Sequence, residues 1–145
     1  MKVRIKITDE RAHVPTYGTE FSAGADLYNL DGVDVEIAPH TTVMVKLGFQ
    51  IEIPEGYAGF LFARSGIASK RGLAPANKVG VIDSDYRGEF MVALHNHSNV
   101  DATIAGGERI AQLCILPVLQ AEFLVAEELG ETARGEGGFG STGKK

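Results

Sequence analysis

A single cysteine, Cys114, stands in the 145 residues, so no disulfide can form within the chain. It lies in Gln112-Leu113-Cys114-Ile115-Leu116, where a buried, inert thiol in a reducing compartment is expected. Long apolar runs are missing too: none nears the roughly eighteen residues that span a bilayer. The segment Met1–Ile7 alternates where a signal peptide would carry an apolar block, so the chain reads as cytoplasmic, unprocessed and without a membrane partner. Positive charge is scarce, with 14 Lys and Arg against 19 Asp and Glu and a net charge of -5. That excludes unaided nucleic-acid binding, which rests on neutralising phosphates. An acidic protein that binds a polyanion must gather its cations locally or recruit a metal. A protein metal cage is also lacking. His95 and His97 share a strand face, but no third ligand stands at suitable spacing, so both read as structural or surface histidines.

What is present is period-two alternation. Val3, Ile5 and Ile7 form one face opposite Lys2, Arg4 and Lys6, and Val33, Val35 and Ile37 repeat the pattern. Val43 and Val45 follow, then Phe49, Ile51 and Ile53. Further strands are expected at 57–63, 89–97, 102–105, 109–118 and 121–126, separated by turn signals such as Pro54-Glu55-Gly56 and Gly106-Gly107. Many short strands at this spacing indicate an all-β sandwich or barrel of ordinary single-domain size. Only Ser65–Gly72 reads as helix, with Ser65 able to cap its start and Gly72 able to end it. A glycine-rich stretch begins at Gly130, which divides the chain into a β-core over 1–130 and a flexible C-terminal arm over 131–145.

Several stretches carry chemistry. The arm is too rich in glycine to hold structure alone, yet it keeps Arg134, Phe139, Ser141 and Thr142. Glycine lets backbone N–H groups press against an anion, and arginine adds fixed positive charge. A solvating linker is the plain alternative, although an aromatic ring is unusual there. Gly138 through Lys144 also spells G-x-x-x-x-G-K, but Lys145 stands where a phosphate loop needs Ser or Thr. Leu61–Gly66 is a strand entering a helix, with Arg64 and Ser65 beside the exposed N–H groups of the helix start. It fits an anion site or a simple capped helix. Asp83 and Asp85 share a face in extended chain, unless a turn at Asp83 separates them. Val81 and Ile82 would partly bury Asp83, which suits a general base acting on water. Arg109 and Gln112 are three apart and share a face only if their strand is irregular.

Taken together, five stretches closely resemble the motifs of the trimeric dUTPase family, in order. They are Ala23-Gly24-Ala25-Asp26-Leu27-Tyr28, Arg64-Ser65-Gly66-Ile67-Ala68 and Gly80-Val81-Ile82-Asp83-Ser84-Asp85-Tyr86-Arg87-Gly88. Gly107-Glu108-Arg109-Ile110-Ala111-Gln112-Leu113 and Arg134 through Gly143 complete the set. Two departures are small: Ala63 replaces the family's usual proline, and Glu108 replaces its commoner aspartate.

The resemblance implies a jelly-roll-like (β-clip) subunit and a homotrimer with shared active sites. It implies hydrolysis of dUTP to dUMP and pyrophosphate, which keeps uracil out of DNA and supplies dUMP for thymidylate synthesis. Asp83 would activate the attacking water. Arg64, Ser65, Gly66, Gln112, Arg134, Ser141 and Thr142 would hold the phosphates. Asn77, with the backbone of Gly80, Val81 and Ile82 on a hairpin from Leu73 to Tyr86, would read uracil. Tyr86 would reject ribose, and Phe139 would cover the base. Mg²⁺ would ride mainly on the triphosphate, with Asp26 touching its water shell. Arg109 would serve structure or the subunit interface. A dCTP deaminase of the same fold would need a glutamate base, against which Asp83-Ser84-Asp85-Tyr86 speaks. A regulatory protein that keeps the fold is the other alternative, and the intact Asp83 and arm count against loss of catalysis.

Overall fold

The computed structural model describes residues 1–138. It contains β1 (Arg4–Ile7), β2 (Thr16–Tyr17), β3 (Ala25–Tyr28), β4 (Val35–Ile37), β5 (Thr42–Lys46), β6 (Phe49–Glu52) and β7 (Tyr57–Ala63). Then follow α1 (Ser65–Arg71), β8 (Leu73–Pro75), β9 (Gly80–Ile82), β10 (Met91–Asn96), β11 (Ala102–Ile104) and β12 (Arg109–Pro117). The architecture is all-β and jelly-roll-like, with one short helix among the described residues. A sheet in the order β2-β3-β12-β7-β9 packs with a three-stranded sheet, β5-β10-β8, and with the pairs β1-β6 and β4-β11. Every pairing is antiparallel.

Alternation decides which side of each strand meets the core. Phe49 and Ile51 on β6, Val92 and Leu94 on β10, and Leu61 on β7 are buried together with Ile53. Each such side chain contributes roughly 1.5–3 kcal/mol on leaving water. Phe49 and Phe90, both nearly inaccessible, stack at 5.4 Å between ring centroids. Buried Asn96 satisfies its polar atoms locally. It donates to the carbonyls of Ile37 (2.9 Å) and Val100 (2.8 Å) and accepts from the backbone N–H and hydroxyl of Ser98.

Several expectations are corrected. The Met1–Ile7 pattern yields a mostly exposed strand in which Ile5 alone is half-buried and Ile7 is 44% exposed. Ser65 does not cap the helix: Arg64 holds the cap position without a side-chain cap bond, and Ser65 is the first helical residue. Gly72 does end it, in the left-handed region at φ 68, where a side chain is disfavoured. Cys114 is half-buried, not fully buried. The expected strand over 121–126 is absent. Its Phe123-Leu124-Val125 run is β-prone, but a strand needs a ladder partner and the described residues offer none there, so Phe123 is 93% exposed. Past Pro117 the described chain has no helix or strand.

Candidate functional site

One cluster forms where β3, β12 and the end of β7 meet. Asp26 on β3 is the direct cross-strand partner of Gln112 on β12, so their side chains share a face. The register shifts between Arg109 and Ala111, the irregularity needed to bring Arg109 to the face of Gln112. The buried Asp26 carboxylate then collects three donors. Its Oδ1 accepts from Gln112 Nε2 at 3.3 Å and Arg64 Nε at 3.4 Å, and its Oδ2 accepts from Arg109 Nη1 at 3.2 Å. A lone buried carboxylate would cost several kcal/mol, and two guanidinium groups offset that cost. Arg64 uses only Nε on Asp26. A methyl carbon at Gly66 would lie 3.2 Å from Arg64 Nη1, so the guanidinium lies over the helix start, where Ser65 is exposed. Arg64, Gln112 and Arg109 are thus gathered around Asp26 next to the helix start that carries Ser65 and Gly66.

A second feature is a cleft of about 250 Å³ lined by Asn77, Gly80, Val81, Ile82, Asp83 and Tyr86. It is smaller than sites that take drug-sized ligands and mixes apolar walls with backbone groups. Met91 on β10 also lines it, a residue that sequence patterning assigns only to a strand. The expected hairpin is corrected: β8 and β9 do not pair with each other. β8 pairs with β10 and β9 with β7, so their connection crosses between two sheets and opens the cleft. Gly80 is buried, and a methyl carbon there would lie 3.2 Å from Asn77 Nδ2, so the Asn77 amide rests over it.

Asp83 departs from expectation. The Tyr86 N–H donates to the Asp83 carbonyl at 3.2 Å, so Asp83 opens a turn and no longer shares a face with Asp85. Asp83 is exposed in the single chain, and its apolar neighbours do not bury it. Arg87 braces the same turn, donating to the carbonyls of Ser84 (2.6 Å) and Tyr86 (3.0 Å), a contact that sequence reasoning missed. Glu108, expected to matter little, pairs with Arg71 and accepts the Ala105 N–H at 3.0 Å.

Asp83 and the Asp26 cluster lie towards opposite ends of β7, and the cleft reaches along it to Leu61, the partner of Gly80. Ile82 pairs with Gly59, and Arg64 comes five residues later, about 16 Å along an extended strand. Arg134 joins neither; its Nε donates to the Gly137 carbonyl at 2.6 Å within a local turn. Phe139, Ser141 and Thr142 lie outside the described residues. His95 and His97 meet ring to ring at 4.4 Å, and His95 Nδ1 lies 2.9 Å from the Thr42 hydroxyl. Among the described residues no group of three or more His, Cys, Asp or Glu could hold a metal. No helix among them is long and apolar enough to cross a membrane.

Comparison with known proteins points to one family. The family model described as dUTPase matches residues 10–143. A deoxyuridine 5'-triphosphate nucleotidohydrolase of Hydrogenobaculum sp. is 48% identical over 145 residues, covering 100% of both chains. Another of that name, from Desulfitobacterium hafniense, is 47% identical over 146 residues and covers 97% of each. Among solved structures, the dUTPase of Staphylococcus bacteriophage 80alpha with dUpNHpp superposes with a TM-score of 0.89 at 29% identity, covering 98% of each chain. A mutant of the same phage enzyme, also with dUpNHpp, gives a TM-score of 0.90 at 28% identity, again covering 98% of each. With a full-length family match and relatives near half identity, this chain belongs to the dUTPase family.

Proposed function

We propose that this protein is a dUTP diphosphatase that cleaves dUTP to dUMP and pyrophosphate at a site completed between copies of the chain. The observation that carries the reading is the separation along β7, within one family member, of a phosphate-type cluster from Asp83. A general base must lie within one water of the phosphorus it serves. An Asp83 about 16 Å of strand from Arg64 therefore serves a different site from the phosphate cluster of its own chain. A homotrimer with shared sites meets that requirement. The exposed apolar side chains of Leu119, Phe123, Leu124 and Val125 support contact with another copy.

In this reading uracil enters the cleft, where Asn77 and the backbone of Gly80, Val81 and Ile82 pair with its N–H and carbonyls. A site built on hydrogen bonds can reject cytosine by up to about 10⁴–10⁵, because the wrong edge leaves buried groups unpaired. Tyr86 lies under the sugar and leaves no room for a 2′-hydroxyl. Asp83 accepts a proton from the water that attacks the α-phosphorus in line, a contribution of about 10²–10⁴-fold. Arg64, Ser65, Gly66 and Gln112 of another copy hold the phosphates still, and Asp26 and Arg109 fix the donors. The arm over 131–145 closes over the site, with Phe139 on uracil and Arg134, Ser141 and Thr142 on the distal phosphates.

The residues fit a cation that arrives with its substrate. Asp26 accepts three hydrogen bonds, and a carboxylate offers about four acceptor directions, so one remains for a water of hydrated Mg²⁺. Mg²⁺ bound with the triphosphate would neutralise charge on its oxygens. Cytoplasmic action, keeping uracil out of DNA and supplying dUMP for thymidylate synthesis, completes the proposal. A pyrophosphate-release assay with Mg²⁺ against dUTP, dTTP, dCTP and UTP tests it. Turnover confined to dUTP is expected; no cleavage of dUTP, or ammonia release from dCTP, refutes it.

A further inference from the structure

Tyr86 lines the cleft and is 42% exposed, yet three contacts fix its ring. Its hydroxyl donates to the Glu89 carbonyl at 3.0 Å. Its ring tilts against Phe90 at 6.5 Å between centroids, and Phe90 stacks on Phe49 in the core. The third is the packing of the ring against Gly88, which has no side chain. A methyl carbon at Gly88 would lie 2.2 Å from the Tyr86 hydroxyl oxygen, 2.4 Å from its Cζ and 2.8 Å from its Cε2. The ring occupies the volume a side chain would need, and such overlap forces one of them to move.

The backbone at Gly88 makes no demand for glycine. Its φ is not in the positive range, unlike that of Gly72 or Gly107, so any L-residue could adopt it. Space alone explains the residue. The sequence gives no hint of this, because Arg87-Gly88 reads as an ordinary turn.

We propose that Gly88 is a positioning residue that seats the Tyr86 ring and thereby sets discrimination between deoxyribose and ribose substrates. The inference rests on the reading of Tyr86 given above. A side chain at 88 displaces the ring from its seat, breaks its bond to Glu89 and removes the surface packed beneath the sugar. Ribose is then no longer excluded.

The test measures kcat/KM for dUTP and UTP in the full chain and in Tyr86→Ala, Gly88→Ala and the double variant, with thermal melts of each. Tyr86→Ala and Gly88→Ala are each expected to lower the dUTP:UTP ratio about tenfold or more. Adding Gly88→Ala to Tyr86→Ala should change the ratio less than about twofold, since the ring it displaces is already gone. A wild-type ratio in Tyr86→Ala overturns the Tyr86 reading and this inference with it. A relaxed Tyr86→Ala beside a wild-type ratio in Gly88→Ala overturns the Gly88 inference alone. Multiplying effects in the double variant also overturn it. If Gly88→Ala does not fold, a double variant that melts like Tyr86→Ala supports the inference, and one that also fails to fold refutes it.

Discussion

The two ends of β7 differ in how much of their chemistry is already in place. At the Arg64 end, a buried carboxylate has gathered two arginines and a glutamine, so the charges are paired and aimed before any substrate arrives. Beyond Ile82, Asp83 stands exposed, and its carboxylate accepts no hydrogen bond among the described residues. Preorganised donors need no rearrangement at the moment of reaction. In the proposed reading, a base held apart from its phosphates acts only once subunits and substrate bring the two together. One end would then supply fixed electrostatics, and the other a group whose power depends on assembly.

Substitutions at the two ends should separate these roles. The largest effect is expected from Asp83→Asn, which should lower kcat at least about a hundredfold while the Kd for dUTP stays nearly unchanged. Wild-type turnover in that variant would end the assignment. Next, removal of residues 134–145 should spare folding and trimer formation, as followed by circular dichroism and sedimentation. It should reduce kcat/KM about tenfold or more through loss of closure. Normal turnover in the truncated chain would make the arm irrelevant to catalysis.

At the preassembled end, Asp26→Asn leaves two guanidinium groups without their anion. It should destabilise the fold by about 2 kcal/mol and lower kcat/KM about tenfold, read from melts and steady-state kinetics. Unchanged values would show that the cluster does not depend on its central carboxylate. The smallest effect lies away from both ends. Partial desolvation, helped by Lys78, His95 and His40, holds the exposed His97 imidazole below its ordinary range. The unfolded chain therefore takes up a proton first as pH falls through about 6.5, so stability drops on acidification. His97→Gln should flatten the dependence of Tm on pH between about 7.5 and 5.5. An unchanged slope would exclude His97 as its source.

Long strands were legible in the sequence. The expected 57–63 strand is β7 with the same bounds, a continuous run of apolar or small residues between the Pro54-Glu55-Gly56 turn and Arg64. Some short strands were legible too, as β1, β4, β6 and β11, whereas β2, β8 and β9 carry no readable period and β3 was legible only as a motif. The segment over 121–126 misled for the opposite reason, since β-prone residues record a propensity while pairing needs a partner. In the site, spacing raised the question of how Arg109 and Gln112 could share a face, and the register shift on β12 answers it. Spacing could not reveal that Asp26 is their common acceptor, because that contact spans more than eighty residues of chain. Nor could it reveal that Asp83 is exposed, because a turn and not its apolar neighbours sets its surroundings.

Mixing two inactive variants tests the shared site most directly. Asp83→Asn and Arg64→Ala chains, each nearly silent alone, would be unfolded together, refolded as mixed trimers and assayed for pyrophosphate release from dUTP. A site completed between copies predicts recovery of about a quarter of wild-type activity at equal mixing, since a random pair of contributing chains is intact in both respects that often. Mixed trimers as inactive as their parents would place both groups in one chain's site and contradict the account.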